Sequence, residues 1–230
     1  MVSSEDQFIT GLSVHQNPND GTCFKAHLEG LPFTPRSITA DSIFGTEQNY
    51  ELLESKEIEN YLKYPTFHRE QTWEYRDNIF LKEKFSYDQA TDTYICPNSQ
   101  LLRYTYTRKD THKRTGYLSS SRVYEAEDCS QCPMREACTK SKENNRTIQV
   151  NEQLDIYKKL ASQNLHSSKG VELRKRRGYE IESCFGDIKH NMGFRRFHLR
   201  GLKKVKTEIT MVSIAHNLRK LHLKQARQAA

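Results

Sequence analysis

The chain has 230 residues with 35% hydrophobic and 28% charged side chains, and its formal net charge is +7. Its 12 tyrosines and 10 phenylalanines argue against a disordered chain, and its length fits one elaborated domain or two small ones. The positive charge favours a polyanionic partner such as nucleic acid, with an ordinary basic soluble protein as an equal alternative. Because no apolar run approaches the roughly 20 residues of a membrane span and no signal peptide is visible, we expect no membrane partner and a cytoplasmic location.

The first 64 residues alternate between predicted strands and helices, an order that indicates an α/β fold. The predicted strands are residues 7–15, 36–40 and 59–64, and the predicted helices are residues 24–31 and 46–56. Thr46 is the expected amino-terminal cap of the second helix. The strand at 36–40 leads directly into Asp41 and a loop that contains Gly45.

The pattern changes after residue 64. Residues 65 to about 144 alternate polar and aromatic side chains and include four of the six cysteines, which predicts a β-rich insertion. Helices are predicted at 153–163, 170–191 and 202–228. An apolar stripe is predicted on the last helix, at Val205, Ile209, Val212, Ile214, Leu218 and Leu221. The resulting domains are a partial α/β core at 1–64, a cysteine-rich insertion at 65–150 and carboxy-terminal helices at 151–230.

Two acidic residues are candidates for a metal site. Asp41 follows a strand beside a glycine-containing loop, where α/β sheets place their ligands, although an Asx turn that leads into a helix is the commoner explanation. Glu182 lies in a basic helix and is two turns from Lys189, so both residues face one side. A carboxylate among cations suits a metal-bound phosphodiester, whereas a solvated helix surface is the alternative.

Four cysteines form a second candidate site. Cys129, Cys132 and Cys138 have the spacing C-x2-C-x5-C, and Cys96 precedes them. Four reduced thiolates can enclose a tetrahedral Zn²⁺, which would add folding energy to an insertion that has few aliphatic residues. The alternative is four unrelated free thiols. Cys23 and Cys184 have no partner at ligand spacing, and we expect both to be small buried hydrophobic residues.

Several segments carry a family resemblance. Residues 182–191 (ESCFGDIKHN) and 193–202 (GFRRFHLRGL) resemble the carboxy-terminal signature of bacterial insertion-sequence DDE transposases. Residues 217–220 (NLRK) resemble the helix that closes that domain, and residues 40–50 resemble the segment that carries its second catalytic aspartate. The cysteines at 96, 129 and 132 resemble the cysteine-rich insertion of one subgroup of the family.

The resemblance implies an RNase H-like core in which Asp41 and Glu182 are the second and third acidic ligands of Mg²⁺ or Mn²⁺. It also implies that Lys189 contacts DNA near a transposon end. The family arginine falls at Gly178 in this chain, so Arg177 is the substitute candidate. No residue corresponds to the first aspartate, so we expect a core truncated at its amino terminus and little catalysis by this chain alone.

The partners implied by the resemblance are transposon-end and target DNA, a second copy of the chain in a homodimer, and the bacterial nucleoid. The basic residues after the glutamate helix favour DNA backbone contact over a plain solvated face. These residues are Arg195, Arg196, Arg200 and Lys203. The predicted function is metal-dependent DNA strand cleavage and transfer, and the alternative is a non-catalytic DNA-binding remnant of a decayed insertion element.

Overall fold

The computed structural model of the chain describes residues 1–4 and 6–229. It divides into two compact units, each described by itself. The first unit comprises Met1–Tyr64 and Leu160–Ala230, and the second comprises Pro65–Lys159. The fold is mixed α/β, with a small parallel sheet and long carboxy-terminal helices in the first unit and an antiparallel sheet in the second.

A strand–helix–strand unit forms the centre of the first unit. Its elements are α1 (Phe24–Glu29), β1 (Ser37–Ala40), α2 (Glu47–Ser55) and β2 (Glu59–Leu62). The two strands are parallel, with Ser37 opposite Glu59. The Thr46 side chain accepts a hydrogen bond from the Asn49 amide and caps α2, so the predictions for these elements are confirmed. Tyr50, Leu53 and Leu62 are almost fully buried in the core beside this crossover.

Three helices complete the first unit, and the first of them begins before residue 160. They are α5 (Glu152–His166), α6 (Ser168–Gly186) and α7 (Leu202–Ala229). The predicted helix at 170–191 is wrong at its end, because a π-helical turn at Asp187–Asn191 follows α6. The turn between α5 and α6 is tight: a Cβ atom at Gly170 would lie 2.0 Å from the carbonyl oxygen of Asn164.

The apolar stripe predicted on α7 is only partly correct. Leu218 is 61% exposed and Ile214 is 49% exposed, whereas the buried residues of this helix are Ser213 and His216. The most deeply buried side chains of this helix are therefore polar, and both have hydrogen-bond partners. The Ser213 hydroxyl donates to the carbonyl oxygen of Ile209, and His216 contacts residues on two other segments.

The strand predicted at residues 7–15 is wrong. Only Ile9 forms a β-bridge, with Val2. Side chains of α7 form hydrogen bonds with backbone groups that a neighbouring strand would otherwise bind. Asn217 Oδ1 accepts from the Ile9 amide at 2.8 Å, and Asn217 Nδ2 donates to the Ile9 carbonyl at 2.9 Å. His216 Nε2 lies 3.0 Å from the carbonyl oxygen of Gln7.

The second unit contains a five-stranded antiparallel sheet, which confirms that this segment is rich in β-structure. Its strands, in spatial order, are β3 (Ser86–Asp88), β4 (Thr93–Ile95), β5 (Leu101–Thr111), β6 (Leu118–Ala126) and β7 (Thr147–Val150). The short helix α3 (Trp73–Asp77) precedes the sheet in sequence, and the short helix α4 (Arg135–Cys138) lies between β6 and β7. The core at the base of the sheet contains Phe85, Leu102, Tyr124, Ala126 and Ile148.

Within residues 1–4 and 6–229, none of the helices combines the length and the apolar character that a membrane crossing requires.

Candidate metal and DNA site

Asp41 lies at the carboxyl end of β1, where its side chain is 52% exposed. Its backbone carbonyl accepts from the Phe44 amide at 3.0 Å, which holds a short 3-10 turn over Ser42–Phe44. Its carboxylate accepts a hydrogen bond from Nη2 of Arg177. Burial lowers the pKa of Lys63 at the end of β2, while the negative charge of Asp41 acts in the opposite direction. The Asp41 carboxylate therefore lies among cations.

Arg177 connects Asp41 to α6, the helix that packs against β1. The arginine side chain is only 22% exposed, and its Nε atom is buried without a hydrogen-bond partner among the described residues. A buried N–H group that lacks an acceptor costs roughly 1–3 kcal/mol. The Arg177 guanidinium therefore donates one hydrogen bond to Asp41, while its buried Nε–H group has no acceptor among the described residues.

Glu182 follows Arg177 by five residues on α6, a rotation of about 140° around the helix axis. It is exposed, and the described residues include no hydrogen-bond or ion-pair partner for its carboxylate. Lys189 is also exposed, and its Nζ lies 5.5 Å from the ring centroid of Phe185. The structure joins Asp41 to Arg177, and no described contact joins Asp41 to Glu182.

A buried polar cluster follows directly on the glutamate helix, and it escaped the sequence analysis. Asp187 is 8% exposed and accepts from Asn191 Nδ2 at 2.8 Å. Its carboxylate also lies 2.9 Å from His216 Nδ1 and 3.3 Å from Arg219 Nε. Burial alone would raise the pKa of Asp187, but the hydrogen bonds from Asn191 and His216 and the charge of Arg219 lower it. One sequence feature could have indicated this cluster: His216 and Arg219 are three residues apart and therefore lie on the same face of a helix.

The basic loop, residues 192–201, presents cations while its backbone is held at several points. The Phe194 amide donates to the carbonyl of Ile188 at 3.0 Å. The Glu208 carboxylate accepts from the His198 amide at 2.8 Å and from the Leu199 amide at 3.1 Å. Exposed basic residues in and beside this loop are Lys189, Arg195, Arg196, Arg200 and Lys203. Their charges are therefore displayed on an ordered backbone.

The four cysteines of the insertion line one pocket, together with Arg146. Cys129 is buried, and its carbonyl accepts from the Cys132 amide at 3.3 Å, which closes a turn within the C-x2-C segment. The Arg146 amide donates to Cys129 Sγ at 3.4 Å, and Asn98 Nδ2 donates to Cys132 Sγ at 3.5 Å. The Nε atom of Arg146 is buried without a described partner. Cys96 and Cys138 are the other two cysteines that line the pocket.

Cys184 is buried as expected and lies 3.6 Å from His216 Nε2, whereas Cys23 is only half-buried. Across the part of the chain that the structure describes, all six cysteines are free and no three His, Cys, Asp or Glu side chains are arranged to hold a metal ion. The two candidate places nevertheless supply the right ligand types. A carboxylate oxygen suits Mg²⁺ at Asp41, and thiols suit Zn²⁺ in the pocket.

Comparison with known families identifies one match. A family model described as a transposase DDE domain matches residues 95–222, which is more than half of the chain. The matched range includes the four cysteines of the pocket, Glu182 and Lys189, and Asp41 precedes it. No curated protein and no solved structure matches the chain.

Proposed function

The chain belongs to the family of transposase DDE domains, and from this premise we propose that it takes part in metal-dependent cleavage and transfer of DNA strands. Membership of the family gives the chain a role related to transposition and DNA as a partner. The finer proposal is an RNase H-like core in which Asp41 and Glu182 bind Mg²⁺ or Mn²⁺. The observation that carries it is the position of Asp41, at the carboxyl end of a parallel strand and against the helix that bears Glu182.

Bound divalent cations would stabilise charge on the phosphodiester and activate the attacking water or 3′-hydroxyl. The protein's contribution in this proposal is an exchange of partners at Asp41. Arg177 now neutralises the carboxylate. On binding of DNA, Arg177 would transfer its hydrogen bond from Asp41 to a phosphate oxygen, which would leave the carboxylate free to bind a divalent cation. The unused Nε donor of Arg177 supports this role, because a phosphate offers the acceptor that it lacks.

Lys189 and the basic loop supply the DNA-binding surface of the proposal. Their cations are exposed and stand on a hydrogen-bonded backbone, an arrangement that favours contact with successive phosphates. Phosphate contacts of this kind position the duplex without reading its sequence. We further propose that two copies act on paired transposon ends, as the resemblance implies, and that DNA binding places the protein on the nucleoid of a bacterial host.

The proposal is tested on metal binding, because Asp41 and Glu182 are proposed to hold the divalent cation directly. Mn²⁺ binding is measured by electron paramagnetic resonance, with and without a short DNA duplex. Asp41→Asn and Glu182→Gln should each weaken binding roughly tenfold, which corresponds to about 1.4 kcal/mol. The control Glu51→Gln removes a charge from another exposed helix position and should have no effect. Wild-type Mn²⁺ affinity in both site variants would refute the shared site.

A non-catalytic DNA-binding protein is the second candidate. The observation that favours it is the ion pair between Asp41 and Arg177, which leaves the carboxylate already neutralised. In that case the chain binds duplex DNA with the same affinity in the presence and absence of Mn²⁺. The Asp41→Asn and Glu182→Gln variants would then retain full DNA binding, and neither would alter an Mn²⁺ signal.

We also propose that the cysteine pocket binds one structural Zn²⁺. Four thiols line it, and two N–H donors already point at two of the sulfur atoms, an arrangement that stabilises thiolates. Four thiolates and one Zn²⁺ carry a net charge of about −2, which the guanidinium of Arg146 would partly offset.

Elemental analysis tests the zinc proposal. We expect one zinc per chain, and Cys132→Ser should lose the metal and lower the melting temperature of the protein. The matched variant Cys23→Ser removes a thiol outside the pocket and should retain the zinc. A wild-type chain that is folded and free of metal would contradict the proposal.

A further inference from the structure

Strands β5 and β6 continue well beyond the rest of their sheet. They pair from Leu102 opposite Ala126 to Thr111 opposite Leu118. The neighbouring strands cover only the base: β4 pairs with residues 101–103, and β7 pairs with residues 122–125. Within the described residues, no strand of the sheet pairs with residues 104–111 or 118–121 apart from β5 and β6 themselves, and we call the segment from 104 to 121 the ribbon. Its outer pairs, from Arg108 opposite Ser121 to Thr111 opposite Leu118, extend for about 13 Å.

The ribbon is exposed on both faces. Every residue of β5 from Arg103 to Thr111 is exposed, so neither face is covered within this unit. The tip is nevertheless ordered by local hydrogen bonds. The His112 amide donates to the Tyr117 carbonyl at 2.8 Å, and the Gly116 amide donates to the His112 carbonyl at 2.9 Å. Gly116 has φ +70°, which a residue with a Cβ atom rarely adopts.

The ribbon carries a net positive charge. It has four basic residues and one acidic residue, and Asp110 is the acid that pairs with Arg108 at 2.8 Å. Lys109 is exposed next to this pair, and Lys113 lies at the tip. A pair of strands that packed against a protein core would instead have apolar residues on one face. The charge therefore points to a polyanion as the partner.

We propose that the ribbon is a second DNA-binding element, separate from the basic loop, that enters the major groove of a duplex. The proposal rests on the DNA role proposed above. A two-stranded ribbon fits the width of that groove. Inside it, the basic side chains at and near the tip reach the phosphates on either side, and the exposed Tyr106 faces the base edges or the sugars. Contact by flanking cations makes the binding strongly dependent on salt.

The test uses the whole chain and a fluorescently labelled DNA duplex of random sequence, with anisotropy measured over a series of KCl concentrations. The double variant Lys109→Ala/Lys113→Ala should bind roughly tenfold more weakly at low salt. The slope of log affinity against log salt should fall by about 2, one for each lost phosphate contact. The matched variant Lys140→Ala/Lys142→Ala removes the same charge from an exposed loop of the same unit and should keep the wild-type slope.

The outcomes separate this inference from the proposed function. If the wild-type chain does not bind the duplex, the DNA role itself fails. If Arg195→Ala/Arg196→Ala weakens binding while the ribbon variant binds like the wild type, only the ribbon assignment fails. An effect of the ribbon variant on single-stranded RNA without an effect on duplex DNA also overturns the assignment. Circular dichroism should show an unchanged fold, because both substituted lysines are exposed.

Discussion

Glu208 is a residue for which electrostatics and structure predict opposite effects on DNA binding. Its carboxylate accepts from two backbone amides of the basic loop, at 2.8 Å and 3.1 Å. The substitution Glu208→Gln removes the charge and leaves a single acceptor oxygen. Hydrogen bonds to charged groups contribute about 1.5–3 kcal/mol each, and partial exposure of Glu208 reduces this range. We take about 1–2 kcal/mol as the loss in the stability of the loop.

A loss of this size changes the ratio of ordered to disordered loop by a factor of about 5–30. Since an ordered loop presents its cations together, we expect duplex DNA to bind more weakly to Glu208→Gln by the factor by which the ordered fraction of the loop falls, about twofold or more. Charge alone predicts the reverse, because removal of a carboxylate beside several cations should strengthen binding to a polyanion. The sign of the change therefore decides between a residue that positions the loop and a residue that only adds negative charge.

The assay is fluorescence anisotropy with a labelled duplex, accompanied by hydrogen exchange of residues 192–201 in the free protein. Glu51→Gln is the control, because it makes the same change of charge at an exposed position in the same unit. We expect faster exchange in the basic loop of Glu208→Gln and wild-type exchange in the control. If Glu208→Gln binds DNA as tightly as the control, and its loop exchanges at the wild-type rate, the positioning role is refuted.

The remaining predictions concern stability. Asp187→Asn should destabilise the protein by about 1–3 kcal/mol near neutral pH, because it removes a buried carboxylate that is hydrogen-bonded to Asn191 and His216. Since the folded-state pKa of Asp187 is lowered, its contribution is present above the unfolded pKa and is lost as the pH falls through the folded value. Urea denaturation should therefore show a smaller difference between wild type and variant below about pH 4, and an unchanged difference would contradict the assignment. Gly170→Ala should cost about 1–3 kcal/mol, because its Cβ atom would meet the backbone of Asn164 at 2.0 Å. Gly178→Ala, which meets nothing within 4 Å on the same helix, should stabilise the protein by about 0.5–1 kcal/mol, and equal melting temperatures for the two variants would exclude the close approach at Gly170.

Local chemistry was sufficient to predict the centre of the first unit. The capping side chain of Thr46 and the apolar spacing of Tyr50 and Leu53 determine α2 from residues that are close in sequence. The same holds for the two parallel strands and for the long carboxy-terminal helices. Each of these elements satisfies its own backbone or pairs with a near neighbour along the chain.

Contacts between distant residues explain the failures. The segment at residues 7–15 has the composition of a strand, but the backbone groups of Gln7 and Ile9 form hydrogen bonds with side chains of α7, about 200 residues away in sequence. The buried face of α7 contains Ser213 and His216, since the polar partners of these residues lie inside the unit. A periodicity of apolar residues contains no information about such partners, so the predicted stripe included Leu218, which is exposed.

In the candidate site, too, local sequence predicted some features and contacts between distant residues determined the others. Family resemblance led to Asp41 and Glu182, and the four cysteines were predicted to lie together from their spacing. The ion pair between Asp41 and Arg177 depends on the packing of α6 against β1, which no local pattern encodes. The hydrogen bonds from the basic loop to Glu208 likewise depend on how the chain folds back after the loop.

Asn217 binds the main chain of Ile9 through both halves of its amide, and this has an evolutionary consequence. The contact itself makes no demand on the side chain at position 9 beyond excluding proline, which lacks the donor. The two partners are therefore unequal. Substitution of Asn217 removes both hydrogen bonds, whereas substitution of the side chain at position 9 leaves both peptide groups in place.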